Sequence, residues 1–460
     1  MAATAGAPGS TTSPAGAADD PPSLPGASPP TDPAVPAGPT DPSVPGDAAP
    51  PPSYTIGGTL TGLAANTRLV LLDNGGDALT LTANGTFGFA APVAFNTAYA
   101  VTVGTSPWWQ NCSVSNGSGT ATADVSGVQV SCLDAQAQVS TLAGSNVSGF
   151  ADGPGATALF NSPEAVRVDA SGNVYVADTA NHMIRKLTPD GMVTTFVGSG
   201  TAGSADGIGA AAQFNEPDGL GIDTEGNLYI ADSGNNEIRK ATPTGVVTTL
   251  AGSTTAGSAD GIGAAAQFNN PGGSMAVDAS GNLYVADINN HKIRKITPDG
   301  VVTTLAGSGT AGRLDGTGVA AQFRLPYGVA VDASGNVFVA DYGNNLVRKI
   351  TPDGVVTTFA GAGTAGSADG AGASAQFNGP SGIAFDASGN VYVSQLGNPA
   401  IRKITPAGVV TTLAGSGTAG LADGIGTAAQ FDTPWDVQLD ASGNLYVASD
   451  HAIRKITPVR

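Results

Sequence analysis

An interval of 54 residues governs this chain. Anchored on the Asp that opens a DASGN-type turn, Asp169, Asp223, Asp278, Asp332, Asp386 and Asp440 follow one another at 54, 55, 54, 54 and 54 residues. Each unit reads as four short strands, PxGVAVD-like, GNVYVAD-like, NHxIRKIT-like and GVVTTLAG-like. One such sheet cannot bury both faces alone, so units of this length are stable when neighbours stack around a ring. The expected fold is all-β, with a six-bladed β-propeller over residues 139–460. The turns agree. Asp-Ala-Ser-Gly-Asn places Gly and Asn where positive φ is needed, and Thr-Pro-Asp-Gly, as at Thr188 to Gly191 and Thr297 to Gly300, closes the second hairpin.

The ends of the repeat predict how the ring closes. The sixth unit stops at Ile453-Arg-Lys-Ile-Thr-Pro-Val-Arg460 without a VVTTLAG strand, while Val139-Ser-Thr-Leu-Ala-Gly144 precedes the first unit and has none of its own. The strand at 139–145 is expected to complete the sixth sheet, which removes two exposed sheet edges.

The units resemble the NHL repeat. Asn181-His182 followed by Ile184-Arg185-Lys186 carries its name, as does Asn290-His291-Lys292-Ile293-Arg294-Lys295; Asn235-Asn236, Asn344-Asn345, Asn398-Pro399 and Asp450-His451 depart from it. The resemblance implies the propeller fold. It is weak for function, because relatives include lyases, sensor domains, adhesion receptors and RNA binders.

Two further segments precede the ring. Residues 1–53 hold 15 of the 31 prolines and five Asp, with no Lys, Arg or aromatic residue, so a disordered stalk is expected. Residues 54–133 alternate apolar and polar positions, as in Tyr54-Thr-Ile-Gly-Gly-Thr-Leu and Tyr99-Ala-Val-Thr-Val, with Asn-Gly and Gly-Gly turns between runs. A small β-sandwich follows. The strings YTIGGTLTGL and NCSVSNGSGTATADVSGVQVSC resemble an immunoglobulin-like module of exported bacterial proteins, which implies a spacer role. Cys112 and Cys132, at the ends of a candidate strand pair, are expected to form a disulfide.

A disulfide implies an oxidising compartment, yet Met1 opens neither a basic n-region nor an apolar h-region. An extracytoplasmic protein is expected, secreted, periplasmic or on the cell surface, whose export or lipoprotein signal with its lipid anchor lies upstream of Met1. No run of 18 apolar residues is present to span a membrane. The net charge of -18 disfavours nucleic acid as a partner. Of 17 Lys and Arg after residue 139, 12 form six Arg-Lys pairs at one repeat position, so no basic patch remains.

The remaining question is where chemistry sits. A long loop before each first strand carries Asp152, Asp206, Asp260, Asp315, Asp369 and Asp423. A calcium ring would need six to eight converging oxygens, so these Asp are expected to cap the Ala-rich turn that ends in Phe160, Phe214, Phe268, Phe323, Phe377 and Phe431. His182, His291 and His451 occupy one repeat position and are weak zinc candidates; their uneven spacing around the ring favours a loop-structuring role. Adjacent Trp108 and Trp109 could stack on carbohydrate, although one of two neighbours on a strand must face the core.

Comparison of the repeats offers one better pointer. After each first-strand Pro stands a residue that differs between units: Glu164, Asp218, Gly272, Tyr327, Ser381 and Trp435. These should ring the channel on the long-loop face, with Asp436 and Arg324 beside them, an asymmetric rim suited to a protein or glycan ligand. No G-x-S-x-G elbow with a plausible triad, H-E-x-x-H or P-loop occurs. The expected function is a monomeric, non-catalytic binding or adhesion scaffold needing no cofactor. The alternative is a metal-dependent lyase or lactonase-like enzyme using calcium or zinc in the central channel.

Overall fold

The structure is a computed structural model that describes residues 50–460. Of the stalk expected over 1–53, all but the last four residues lie outside the described region.

The first part is built from two four-stranded sheets. One orders Gly85–Gly88, Ile56–Thr61, Val125–Asp134 and Gln110–Ser115; the other orders Asp77–Leu81, Leu69–Asp73, Thr97–Thr105 and Ser118–Ala121. Alternation drives their packing. Val128, Val130 and Cys132 point inward from one strand and meet Leu69, Leu71 and Val101 from the opposite sheet. Cys132 lies directly across from Cys112 in the antiparallel pair, and the two form a disulfide.

From Ala137 onward the described residues form six sheets, each of five strands. The innermost strands are Pro163–Val168, Pro217–Ile222, Pro271–Val277, Pro326–Val331, Pro380–Phe385 and Pro434–Leu439. Each packs against the next, and the last packs against the first, so the sheets stand around a central channel. This is a β-propeller. Close approach at the axis demands glycine: a Cβ added at Gly328 would lie 2.3 Å from the Ser381 carbonyl oxygen, and one at Gly382 would lie 2.5 Å from Cα of Asp436.

Four strands per unit were expected, and the fifth is an addition. A two-residue strand within each long loop, such as Gly207–Ile208 or Gly261–Ile262, pairs with the VVTT strand on the outside of the sheet. It is too short for alternation to reveal it. The strand Ala137–Gly144 runs antiparallel to Ala452–Pro458, with Val139 opposite Ile456 and Gly144 opposite Ala452, and it pairs on its other side with Gly424–Ile425. The sheet that ends the chain is thus completed by the strand that begins the ring.

Six arginines organise the sheets. Arg185, Arg239, Arg294, Arg348, Arg402 and Arg454 are wholly buried, each with its guanidinium 5.0–5.4 Å from the ring centre of a loop Phe. In the first four sheets Nη1 donates to the Asp that ends strand two, at 2.6–2.9 Å for Asp178, Asp232, Asp287 and Asp341. Nη2 donates to the loop carboxylate, Asp152 through Asp423, in all six. This corrects the role expected for the loop Asp. They do not cap the short 3-10 turns, which have no side-chain cap, because a buried guanidinium nearby needs their charge more.

Candidate functional site

The first-strand residues singled out by repeat comparison do meet at the channel, but they turn on one another. Tyr327 reaches across from the fourth sheet to donate its hydroxyl to Glu164 of the first, at 3.0 Å. Trp435 of the sixth sheet packs against the Tyr327 ring, centroids 5.5 Å apart and planes 33° apart. The Ser233 hydroxyl lies within hydrogen-bond distance of both the Asp218 carboxyl and the Pro271 carbonyl, the latter at 2.6 Å, and its one proton serves one of them at a time. Tyr327 is 9% exposed and Asp218 7%, whereas Glu164 and Trp435 are half-buried. The mouth of the channel is therefore a mutually bonded cluster, with Glu164 and Trp435 as its part-exposed members.

Burial governs its electrostatics. Loss of hydration pushes the Glu164 carboxyl up to about 7, against the lowering effect of the Tyr327 hydrogen bond. Asp218 is also raised, first by burial and then by the charge of Glu164. Tyr327 is raised by burial and by both carboxylates, which keeps it a hydrogen-bond donor.

A second polar layer plugs the channel below this one. Asp436 has no exposure. It accepts from Arg167 Nη1 at 2.7 Å, from the Val166 amide at 3.0 Å, from its own neighbour's amide at Val437, and from the Ser274 hydroxyl. Arg167 Nη2 continues across to the Met275 carbonyl at 3.1 Å. Three sheets are thus pinned together at the axis by one buried ion pair. Repeat comparison held a signal for both partners. Arg167 stands where other units have Gly221, Ala276, Ala330, Ala384 or Gln438, and Asp436 where they have Ala165, Gly219, Gly328 or Gly382. Ser274 explains the single 55-residue spacing, because the extra residue lies in that unit's first strand, where the register shifts.

The other candidates lie apart. Arg324 is exposed, its side-chain stem running beside Gly343, and its backbone amide is held by Asp341. The histidines do not converge. Nδ1 of His182, His291 and His451 accepts from the amides of Glu216, Leu325 and Ser162 respectively, each in the loop of the next sheet. Asn236 and Asn345 do the same work at the equivalent place in other units. His182 and His291 adopt positive φ, the backbone that ends the turn after strand two. Among the described residues no three His, Cys, Asp or Glu are grouped to hold a metal ion. Of the two adjacent tryptophans, Trp109 packs on the propeller and donates to the Gly443 carbonyl at 2.8 Å, while Trp108 remains 41% exposed.

Comparison with known proteins agrees with this architecture. The NHL repeat model matches residues 160–187, 214–240 and 323–350. The chain is 34% identical over 230 residues to the chloroplastic protein Suppressor of Quenching 1 of Arabidopsis thaliana, covering 46% of this chain and 22% of that one. It is 28% identical over 327 residues to human NHL repeat-containing protein 2, covering 63% and 45%. The chain spans less than half the length of these curated relatives. Among solved structures, a Bacteroides thetaiotaomicron protein of unknown function superposes with a TM-score of 0.57 at 20% identity, over 85% of this chain and 90% of that one. An auxiliary nutrient binding protein of Bacteroides ovatus does so with 0.54 at 15% identity, over 90% and 100%. The chain carries NHL repeats and has the fold of the NHL-type β-propellers.

Proposed function

We propose that this chain is an exported, surface-attached scaffold that binds a protein or glycan ligand without catalysing a reaction on it. The observation that carries the reading is the state of the channel. Its polar groups are saturated by one another in two stacked layers, Glu164 with Tyr327 and Asp436 with Arg167 and Ser274, so the channel serves as a rivet. The disulfide supports an oxidising compartment. The likeness of fold to proteins described as auxiliary nutrient binding proteins fits a binding role.

A metal-dependent lyase or lactonase-like enzyme is the second reading, favoured by one observation. Glu164 and Asp218 are neighbouring carboxyls at the channel mouth, both raised by burial, and such pairs recur at sites of acid and base chemistry. Elemental mass spectrometry of the gently purified full chain, with melting before and after chelation, separates the two. Metal-free protein whose melt is unchanged by chelator is the expected result. Near-stoichiometric zinc or calcium, with a melting temperature that falls on chelation, would reverse the choice.

A further inference from the structure

The sandwich and the propeller enclose a cavity of about 490 Å³ on the face opposite the long loops, within the range of small-ligand sites. From the sandwich, Arg68 and Trp108 line it; from the propeller, Lys403, Ser388, Asn390 and Ser442 do so. Three observations mark it as a place built for a ligand. Arg68 is the one cationic residue of the segment 54–133, and it is exposed here. Trp108 stays 41% exposed at the cavity wall; the Arg460 guanidinium, 4.4 Å from its ring centre, covers one face of the indole, so a ligand has only the remaining exposed surface to stack on. Lys403 departs from the rest of its repeat position. In the other five sheets the equivalent Lys lies 5.2–5.8 Å over the strand-two aromatic ring, but Lys403 turns to Asp134, at 3.7 Å, beside the cavity.

The cavity lining holds more acid than base. Arg68 and Lys403 stand against Asp134, Asp386 and Asp440, and the last two already accept turn amides and a tyrosine hydroxyl each. An anion finds no net attraction there. A neutral ring bearing hydroxyls on one edge and C–H groups on its face matches what is present: guanidinium and amide donors, a carboxylate acceptor at Asp134, and an indole to stack on.

We infer that the junction between sandwich and propeller is a binding site for a neutral oligosaccharide, stacked on Trp108 and hydrogen-bonded by Arg68. This rests on the reading of the chain as a binding module, and it places the ligand away from the channel mouth.

The test is titration calorimetry of the full chain with cello-, xylo-, malto- and manno-oligosaccharides, and with oligogalacturonate as the charged counterpart. At least one neutral glycan is expected to bind, with an affinity insensitive to salt. Trp108→Ala and Arg68→Ala should each weaken it by at least about tenfold, with melting curves showing that both variants fold. The site is overturned if no neutral glycan binds, if binding survives both substitutions, or if only oligogalacturonate binds and salt abolishes it. Loss through Trp435→Ala instead would move the ligand to the channel mouth, sparing the binding reading while removing this site. A glycan held at Trp108 by a protein that also proves to be a metal enzyme would keep the site and overturn the non-catalytic reading.

Discussion

The first four sheets of the ring and the last two solve the same problem differently. Arg185, Arg239, Arg294 and Arg348 are each clamped between a fully buried Asp and a loop Asp, whereas Arg402 meets the neutral Gln395 at 3.2 Å and Arg454 has Ser449 in place of the second carboxylate. All six are equally buried. Burial draws the guanidinium of Arg402 and Arg454 below its ordinary range, with the single carboxylates Asp369 and Asp423 working against that shift. The difference shows that one charge-assisted bond, completed by carbonyls such as those of Gln376 and Gln430, suffices to keep a buried guanidinium in place. The second carboxylate adds its own desolvation cost: burial raises Asp341 to about 6 even beside Arg348.

The largest effect should come from the clasp that both halves of the ring depend on. Deleting residues 137–144 leaves Ala452–Pro458 and Gly424–Ile425 without their partner, and calorimetry should show loss of a single cooperative transition. An unchanged melt would refute closure by this strand. Next come the clamps themselves. Asp341→Ala leaves Arg348 buried beside an empty space and should cost about 3 kcal/mol in denaturant unfolding, while Gln395→Ala should cost about 1 kcal/mol. Equal losses would show that the two kinds of clamp are not distinct. The remaining test is at the channel mouth. Because the Glu164 carboxyl is raised from 4.5 to about 7, its contribution to stability is fully present below about pH 4.5 and is lost as pH rises through about 7. The melting temperature should fall over that window, and Glu164→Gln should flatten the fall.

Much of this was legible from repetition alone. The spacing of Asp169 to Asp440 and the orphan strand at 139–145 gave sheet count and closure partner, because a ring imposes its period on every unit. What escaped were features whose cause lies across the channel or between units. The loop Asp were visible, but their partner, an Arg some 33 residues later, meets them only once the long loop lies beside strand three, and no local motif marks the pair. Glu164, Tyr327 and Trp435 were found as variable positions, yet nothing in the chain says that side chains from opposite sheets reach one another. Arg167 sat at a position where small residues prevail elsewhere, and Ser274 was the one extra residue of its unit, signals of the same kind that went unread. The junction cavity depends on how a sandwich of its own rests on two particular sheets, and no periodic pattern encodes that.

The clasp also decides how the molecule responds to force. Ala137 lies opposite Pro458, so tension between the sandwich and the far end of the last strand would peel the pair open one rung at a time instead of shearing all rungs together. The peeling end is not left bare. Val459 donates to the Gln136 carbonyl, Asn111 holds the Val459 carbonyl at 3.0 Å, and Arg460 donates to the Trp108 carbonyl at 2.9 Å. The sandwich thereby acts as a strain relief, spreading a pull over its own contacts before the ring feels it.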